Sequence, residues 1–301
     1  PPQARPPGLP LRPSKLSPRR GSGTMATSFG DLVKPVTDVF DDDYNYKVTL
    51  KIKHPTACDV TVTSETERKA SGDKVSLLSK LSLKWKHASG FALDKLQYKA
   101  DGSIVTETSL SNVAPGLKLT FKGDDNAKGE FGLEYETPSI SATAELDVVD
   151  LSALSMSSAF SMNAACAGGE VKLGLPSADK PFKVDDFNVG AAYDQGMFFG
   201  SLKTGDSFSS YGLYLSAKPA DKLTIASMVD IKPAGSTTAT FGGLYKCTKD
   251  FSFRAKATTT GTIACAANYT PFKKVNFTGA VSTSTSKLVE GLKYGLGINL
   301  G

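Results

Sequence analysis

From Tyr44 to the C-terminus the apolar residues recur at every second position, and this period constrains the chain more than any other feature it has. Val48, Leu50 and Ile52 alternate with Lys47, Thr49, Lys51 and Lys53. Leu81, Leu83 and Trp85 alternate with Ser82, Lys84 and Lys86, and Leu117, Leu119 and Phe121 with Lys118, Thr120 and Lys122. At the end of the chain Tyr294, Leu296, Ile298 and Leu300 stand against Lys293, Gly295, Gly297 and Asn299. Successive side chains of a strand point to opposite faces, so each run has one apolar and one polar face. About nineteen runs can be marked, from 47–53 and 58–64 through 169–175 to 290–300. The turn signals between them, such as Ala70-Ser71-Gly72-Asp73, Ala100-Asp101-Gly102 and Thr204-Gly205-Asp206, leave no room for crossover helices. The expected topology is an antiparallel meander.

Two architectures can use so many half-polar strands. A soluble sandwich buries its apolar faces between two sheets, whereas a membrane barrel turns them to lipid, faces its polar side chains to a wet lumen and leaves no edge unpaired. A single soluble sheet system of this many meander strands exceeds the usual size. The polar positions carry Lys, Glu, Thr, Ser and Gly, as a lumen would. Trp85, Tyr98, Phe121, Tyr135, Tyr193, Tyr211, Tyr245, Tyr269 and Tyr294 fall near strand ends on the apolar face, where interfacial girdles sit. Residues 45–301 therefore read as an all-β transmembrane barrel of about 19 strands. No stretch offers the roughly 20 apolar residues of a membrane-spanning helix.

Ahead of the barrel, residues 25–44 carry a helical pattern, with Phe29, Leu32, Val33, Val36 and Phe40 on one face. Ser28 and Asp31 make an N-cap pair, and Pro35 predicts a kink or break. Residues 1–24 hold seven prolines, five basic side chains and no acid, and are expected to be a disordered leader ahead of a start at Met25, absent from the mature protein. They hold the whole +5 of the chain, because the remainder has 30 basic and 30 acidic side chains. A neutral body lacks the clustered excess of Lys and Arg that nucleic-acid binding needs.

Asp31-Leu32-Val33-Lys34, followed by Asp38-Val39-Phe40 and Tyr44, resembles the N-terminal helix of the eukaryotic mitochondrial porin, the voltage-dependent anion channel. Ala114-Pro115-Gly116-Leu117-Lys118 resembles a short motif of that family, and Lys293-x-Gly295-x-x-Ile298-x-Leu300 resembles its C-terminal sorting signal. Nineteen is also the known strand number of that family's barrel, so the count of runs matches an established value and is not an independent discovery. The resemblance implies first and last strands paired in parallel, with the amphipathic N-terminal helix inside the lumen. Strands about 4.8 Å apart and tilted about 40° would enclose roughly 35 to 40 Å, room for a helix and a water path. Phe29, Leu32, Val36 and Phe40 would pin the helix to the wall, with Asp31, Lys34 and Asp38 edging the pore. The chain departs from the family at Val33 and Thr37, where it usually has Gly and Arg, and at Asp41-Asp42-Asp43, where it usually has a base. Some members carry a lipid-facing glutamate in the fourth strand, and Asp94, which shares a face with Ala92, Leu96 and Tyr98, is its nearest counterpart.

No catalytic set, metal site or cofactor motif is expected. His54 and His87 sit by turns without a nucleophile motif, and there is neither a Walker loop nor a GxGxxG. Cys58, Cys166, Cys247 and Cys265 are widely spaced free thiols. Asp124-Asp125-Asn126 lacks the spacing of a calcium loop, and the sequons at Asn268 and Asn276 lie inside strands as chance matches. What remains is selectivity by lumenal charge. The pore-lining candidates are Lys34, Lys47, Lys51, Lys53, Lys84, Lys86, Lys118, Lys122, Arg254, Lys256 and Lys293, opposed by an acidic wall of Glu130, Glu134, Glu136, Glu145 and Asp147. The expectation is a voltage-dependent, anion-selective channel of the mitochondrial outer membrane, passing small ions and metabolites such as ATP and ADP. Its partners would be membrane lipid, permeant anions and nucleotides, and further copies in a homo-oligomer. A polypeptide-translocating barrel and a soluble β-rich binding protein are the competing expectations.

Overall fold

A computed structural model describes residues 27–56, 59–71, 74–176, 181–233, 235–286 and 291–301. The leader with Met25, Cys58 and the Gly72-Asp73 turn lie outside the described residues. Nineteen strands are present among them. The first eight are β1 (Val48–Pro55), β2 (Val60–Ser71), β3 (Lys74–Lys86), β4 (Phe91–Lys99), β5 (Ile104–Ala114), β6 (Leu117–Asp124), β7 (Gly129–Glu136) and β8 (Ile140–Asp147). Then come β9 (Ala153–Met162), β10 (Ala165–Gly174), β11 (Lys183–Asp194), β12 (Phe198–Gly205), β13 (Ser210–Ala220) and β14 (Leu223–Ile231). The last are β15 (Thr238–Lys246), β16 (Phe251–Thr258), β17 (Thr262–Phe272), β18 (Val275–Ser284) and β19 (Lys293–Leu300).

Each strand pairs antiparallel with the next, and β1 closes on β19 in parallel from Val48↔Leu296 to Ile52↔Leu300. The result is a closed barrel, which leaves no ladder edge open. An odd strand number forces that one parallel seam, because antiparallel neighbours alternate in direction. Gly295 is where the seam is tightest. A Cβ there would run into the carbonyl of Asn45 and the backbone between Tyr46 and Lys47, so the chain entering β1 crosses directly over it.

The period of two fixes which side chains face out. Leu81, Tyr98, Phe121, Phe160, Leu202, Phe241 and Leu296 are exposed on one face. On the other, Ser109, Thr120, Ser141, Ser216, Thr240 and Ser282 are buried. The outer face is therefore an apolar belt that fits hydrocarbon, and the inner face is polar.

Strand boundaries shift where charge or small residues dilute the alternation. β2 runs on to Ser71 rather than stopping at 64, carrying Glu65 and Glu67 into the wall, and β10 begins at Ala165 rather than 169. The face assigned to Asp94 is corrected by a bulge. Leu83 pairs with Leu96 and Trp85 with Leu93, so the single residue Lys84 faces two residues of β4, Asp94 and Lys95. The bulge reverses the parity within β4: Ala92 is buried on the inner face, whereas Tyr98 faces out. Asp94 lies on the inner side, 3.9 Å from Lys84.

Candidate functional site

The lumen has two unlike walls. Across β1 to β8 its side chains form a ladder of cross-strand ion pairs. Lys47 meets Glu67 at 2.9 Å, while Lys51 and Lys80 reach Glu65 at 3.6 and 2.8 Å. Lys95 meets Glu107 at 3.0 Å and Lys118 meets Glu134 at 3.0 Å, and Lys122 bridges Glu130 at 3.6 Å and Glu145 at 2.7 Å. Such partly exposed pairs contribute about 0.2 to 1 kcal/mol each. Their main consequence is electrical, since each lysine field is largely cancelled by an adjacent carboxylate. The expected division into a basic and an acidic wall is thus corrected to an interleaved one. Glu65, Glu67 and Glu107, absent from the sequence reading of the lumen, complete it. Lys53, Lys86 and Lys293 share the inner face and carry no ion pair among the described residues.

The opposite wall is a seat for the N-terminal segment. A 3-10 turn over Gly30–Val33 leads into α1 (Lys34–Asp41), and the change from one to the other falls just ahead of Pro35, which sits in the first turn of α1. There its missing N–H has no intrahelical partner to lose, so the expected kink becomes a junction. Ser28 Oγ accepts from the Asp31 amide at 3.2 Å and donates to the Asp31 carboxylate at 2.8 Å, closing the N-terminus.

Phe29, Leu32, Val36, Val39 and Phe40 are buried. Val39 was passed over in the sequence, and Val33 is only half-buried. An eight-residue helix is marginal in water, so this burial is what orders it. Each such side chain contributes roughly 1.5 to 3 kcal/mol before the loss of chain entropy is counted. Phe29 and Leu32 pack on Ala159, Cys166 and Ala192, and Val36, Val39 and Phe40 on Phe199, Tyr214, Ala226, Met228 and Leu244. All these wall residues occupy the nominally polar parity. Lys203 adds a cation over the Phe29 ring, 4.4 Å from its centroid.

Two cations hold the C-terminal end of α1. The carbonyl of Asp38 accepts from Arg254 Nη1 and that of Phe40 from Lys256 Nζ, which satisfies carbonyls of the last turn that have no partner within the helix. Arg254 also lies 3.4 Å from Asp42 and, through Nε, 3.1 Å from Asp43. The Nε pair is Coulombic, since its N–H has no acceptor in line. Asn268 donates to the Asp43 carboxylate at 2.9 Å and Asn276 to Asn268 at 2.7 Å, so both sequon asparagines serve the lumen wall. Lys256 Nζ stands 4.2 Å from the centroid of the Tyr44 ring. Cations at a helix C-terminus complement its dipole, and here they also face the unusual run Asp41-Asp42-Asp43.

Arg254 and Lys256 therefore stand against the docked segment rather than the open lumen, which corrects their reading as pore-lining charges. Arg254 has only 13% of its side chain exposed. Burial and the neighbouring Asp42 hold the Asp38 carboxyl above its ordinary value, against the opposing influence of Lys34 and Arg254. Lys34 is exposed and 3.5 Å from Asp31, so it borders the water path. The segment packs on β9 to β17, leaving the ion-pair wall of β1 to β8 open to water.

Elsewhere the side chains have structural work. His87 Nδ1 lies 2.8 Å from Ser89 Oγ in a turn, and Asp124 accepts from the amides of Asn126 and Lys128 at 3.0 Å each. Among the described residues no three His, Cys, Asp or Glu side chains converge as a metal site, and Cys166, Cys247 and Cys265 are free.

A sequence model of the family described as eukaryotic porin matches residues 26–295. No curated protein matches the chain. Solved structures similar to it include an engineered protein described for asymmetric conductivity, 12% identical over 80% of this chain and 96% of that one, with a TM-score of 0.49. Two variants of the Rh. blastica porin are each 11% identical. One covers 84% of this chain and 96% of its own at a TM-score of 0.45, and the other 80% and 98% at 0.48.

Proposed function

The chain belongs to the eukaryotic porin family, and we propose that its pore-forming barrel is a voltage-dependent, anion-selective channel of the mitochondrial outer membrane. It passes small ions and metabolites, adenine nucleotides among them, by passive diffusion, with membrane lipid around it and further copies of itself beside it. The observation that carries this reading is the closed barrel whose inner face is half ion-pair ladder and half helix seat, with apolar side chains turned outward. A wide polar path needs no catalytic constellation: solutes are sorted by size and by lumenal charge.

Because most lysines of the ladder are compensated, the reading assigns the anion preference to the unpaired Lys53, Lys86 and Lys293, with Lys34 at the helix edge. In planar bilayers under a potassium chloride gradient, the protein should show a reversal potential on the anion side. Changing Lys53, Lys86 and Lys293 together to Gln should move it toward the cation side. An unchanged reversal potential would remove these three from the conduction path.

A further inference from the structure

Lysines on one rim of the barrel are concentrated in one sector. The turns 221–222, 247–250 and 273–274 join β13 to β14, β15 to β16 and β17 to β18, so all three lie on the same rim. With the strand ends beside them they expose Lys218, Lys222, Lys246, Lys249, Lys273 and Lys274 against only Asp221 and Asp250. Backbone hydrogen bonds from Lys246 to Lys222 at 2.8 Å and from Thr270 to Asp250 at 2.7 Å tie neighbouring hairpins into a continuous edge. At the opposite rim of the same strands, turns 206–209, 232–237 and 259–261 hold one aspartate, Asp206, and one lysine, Lys232. On the basic rim beyond this sector, turns 87–90, 115–116, 137–139 and 163–164 hold no lysine, and the strand ends beside them add Lys86 and Lys118, both on the inner face. The lysine excess of this rim is thus greatest over β13 through β18.

The neighbours of these lysines fix their depth. Tyr245, Phe251, Tyr269 and Phe272 point outward within four residues of a lysine, and Phe251 and Tyr269 meet edge to face at 6.3 Å. Exposed aromatics at strand ends sit at the boundary between hydrocarbon and head groups. A lysine one or two residues further along holds its ammonium among the head groups while its stem lies along the apolar belt. We propose that this sector of the rim binds anionic phospholipid head groups and so recruits acidic lipid to one side of the barrel; this rests on the barrel lying in a bilayer. An acidic polypeptide would use the lysines but not the outward aromatic residues beside them, whereas a phospholipid engages both.

The test uses the full chain in neutral detergent with equal amounts of phosphatidylglycerol and phosphatidylcholine, reading retained lipid by native mass spectrometry. The wild type should retain phosphatidylglycerol preferentially, and added salt should weaken the preference. Lys222, Lys249 and Lys273 changed together to Gln should lower it by about fivefold per lysine, the equivalent of the roughly 1 kcal/mol a basic residue gains at an anionic surface. The same charge loss at the other rim, Lys128, Lys183 and Lys232 to Gln, should leave it unchanged. Equal retention of the two lipids by the wild type would overturn the proposal. So would equal loss in both triple variants, or polyglutamate binding without lipid preference. Conductance of all three proteins in phosphatidylcholine bilayers separates the causes: a barrel that conducts without lipid preference refutes only the rim site, whereas a wild type that does not conduct refutes the channel.

Discussion

At the scale of single residues, the side chains that matter most to the lumen are those that join chain segments far apart. Arg254 is the clearest. It neutralises Asp42 and Asp43 and caps the carbonyl of Asp38, more than two hundred residues away in sequence. Its replacement by Ala leaves the half-buried Asp43 carboxylate without a cation, a change on the order of 3 kcal/mol when a largely buried pair is broken. Amide hydrogen exchange over residues 37–43 should therefore quicken in Arg254→Ala. Asp43→Asn, made in that background, should add much less than it does alone. Strict additivity of the two changes would mean that Arg254 and Asp43 do not act as a pair. Neither partner was legible as such. The sequence shows an acidic run on the helix and a base at an inward position of a strand, but no local rule brings residue 43 to residue 254. The nearest trace is compositional: alanines at positions 159, 226, 264 and 266 occupy the polar parity of their strands, and every one is buried. A small apolar side chain repeated where polar ones prevail elsewhere marks a surface that something covers.

At the scale of elements, the alternation was sufficient to place every strand, because a residue's face depends only on its neighbours two positions away. It failed where that local rule breaks. The Asp94 bulge shifts parity by one residue, and no feature of Phe91 to Lys99 announces it, since both parities there hold apolar and polar side chains. The second strand extends past residue 64 because Glu65, Glu67 and Arg68 pair across to β1 and β3. Two glycines, by contrast, were readable as necessities once the ladder was known. Gly116 adopts φ +77° beside Pro115, the pairing a tight turn of type II demands, and a Cβ on it would strike the Glu136 carbonyl. Gly295 lies beneath the chain that enters β1 at the parallel seam. Gly295→Val must displace that chain or open the seam, and overpacking of this kind costs roughly 1 to 3 kcal/mol. The barrel should then unfold at lower urea concentration, with β1 and β19 exchanging amide protons first. Wild-type stability in Gly295→Val would show that the closure is looser than its geometry.

At the scale of the whole molecule, the equal number of acids and bases beyond residue 24 acquires a spatial meaning. On the β1 to β8 wall the charges neutralise one another across strands, and on the other wall they fasten α1. The charges are thus balanced in two separate local arrangements, and in the proposed channel the lysines without an ion pair among the described residues would bias the path. The apolar belt, the closed ladder and the segment docked on one wall all fit the water-filled membrane conduit proposed for this barrel. Single-channel recording in planar bilayers tests that most directly. Purified barrel should enter in discrete steps of large ohmic conductance at low voltage, with a reversal potential on the anion side in a salt gradient. Folded protein that associates with the bilayer and produces no such steps would contradict the account.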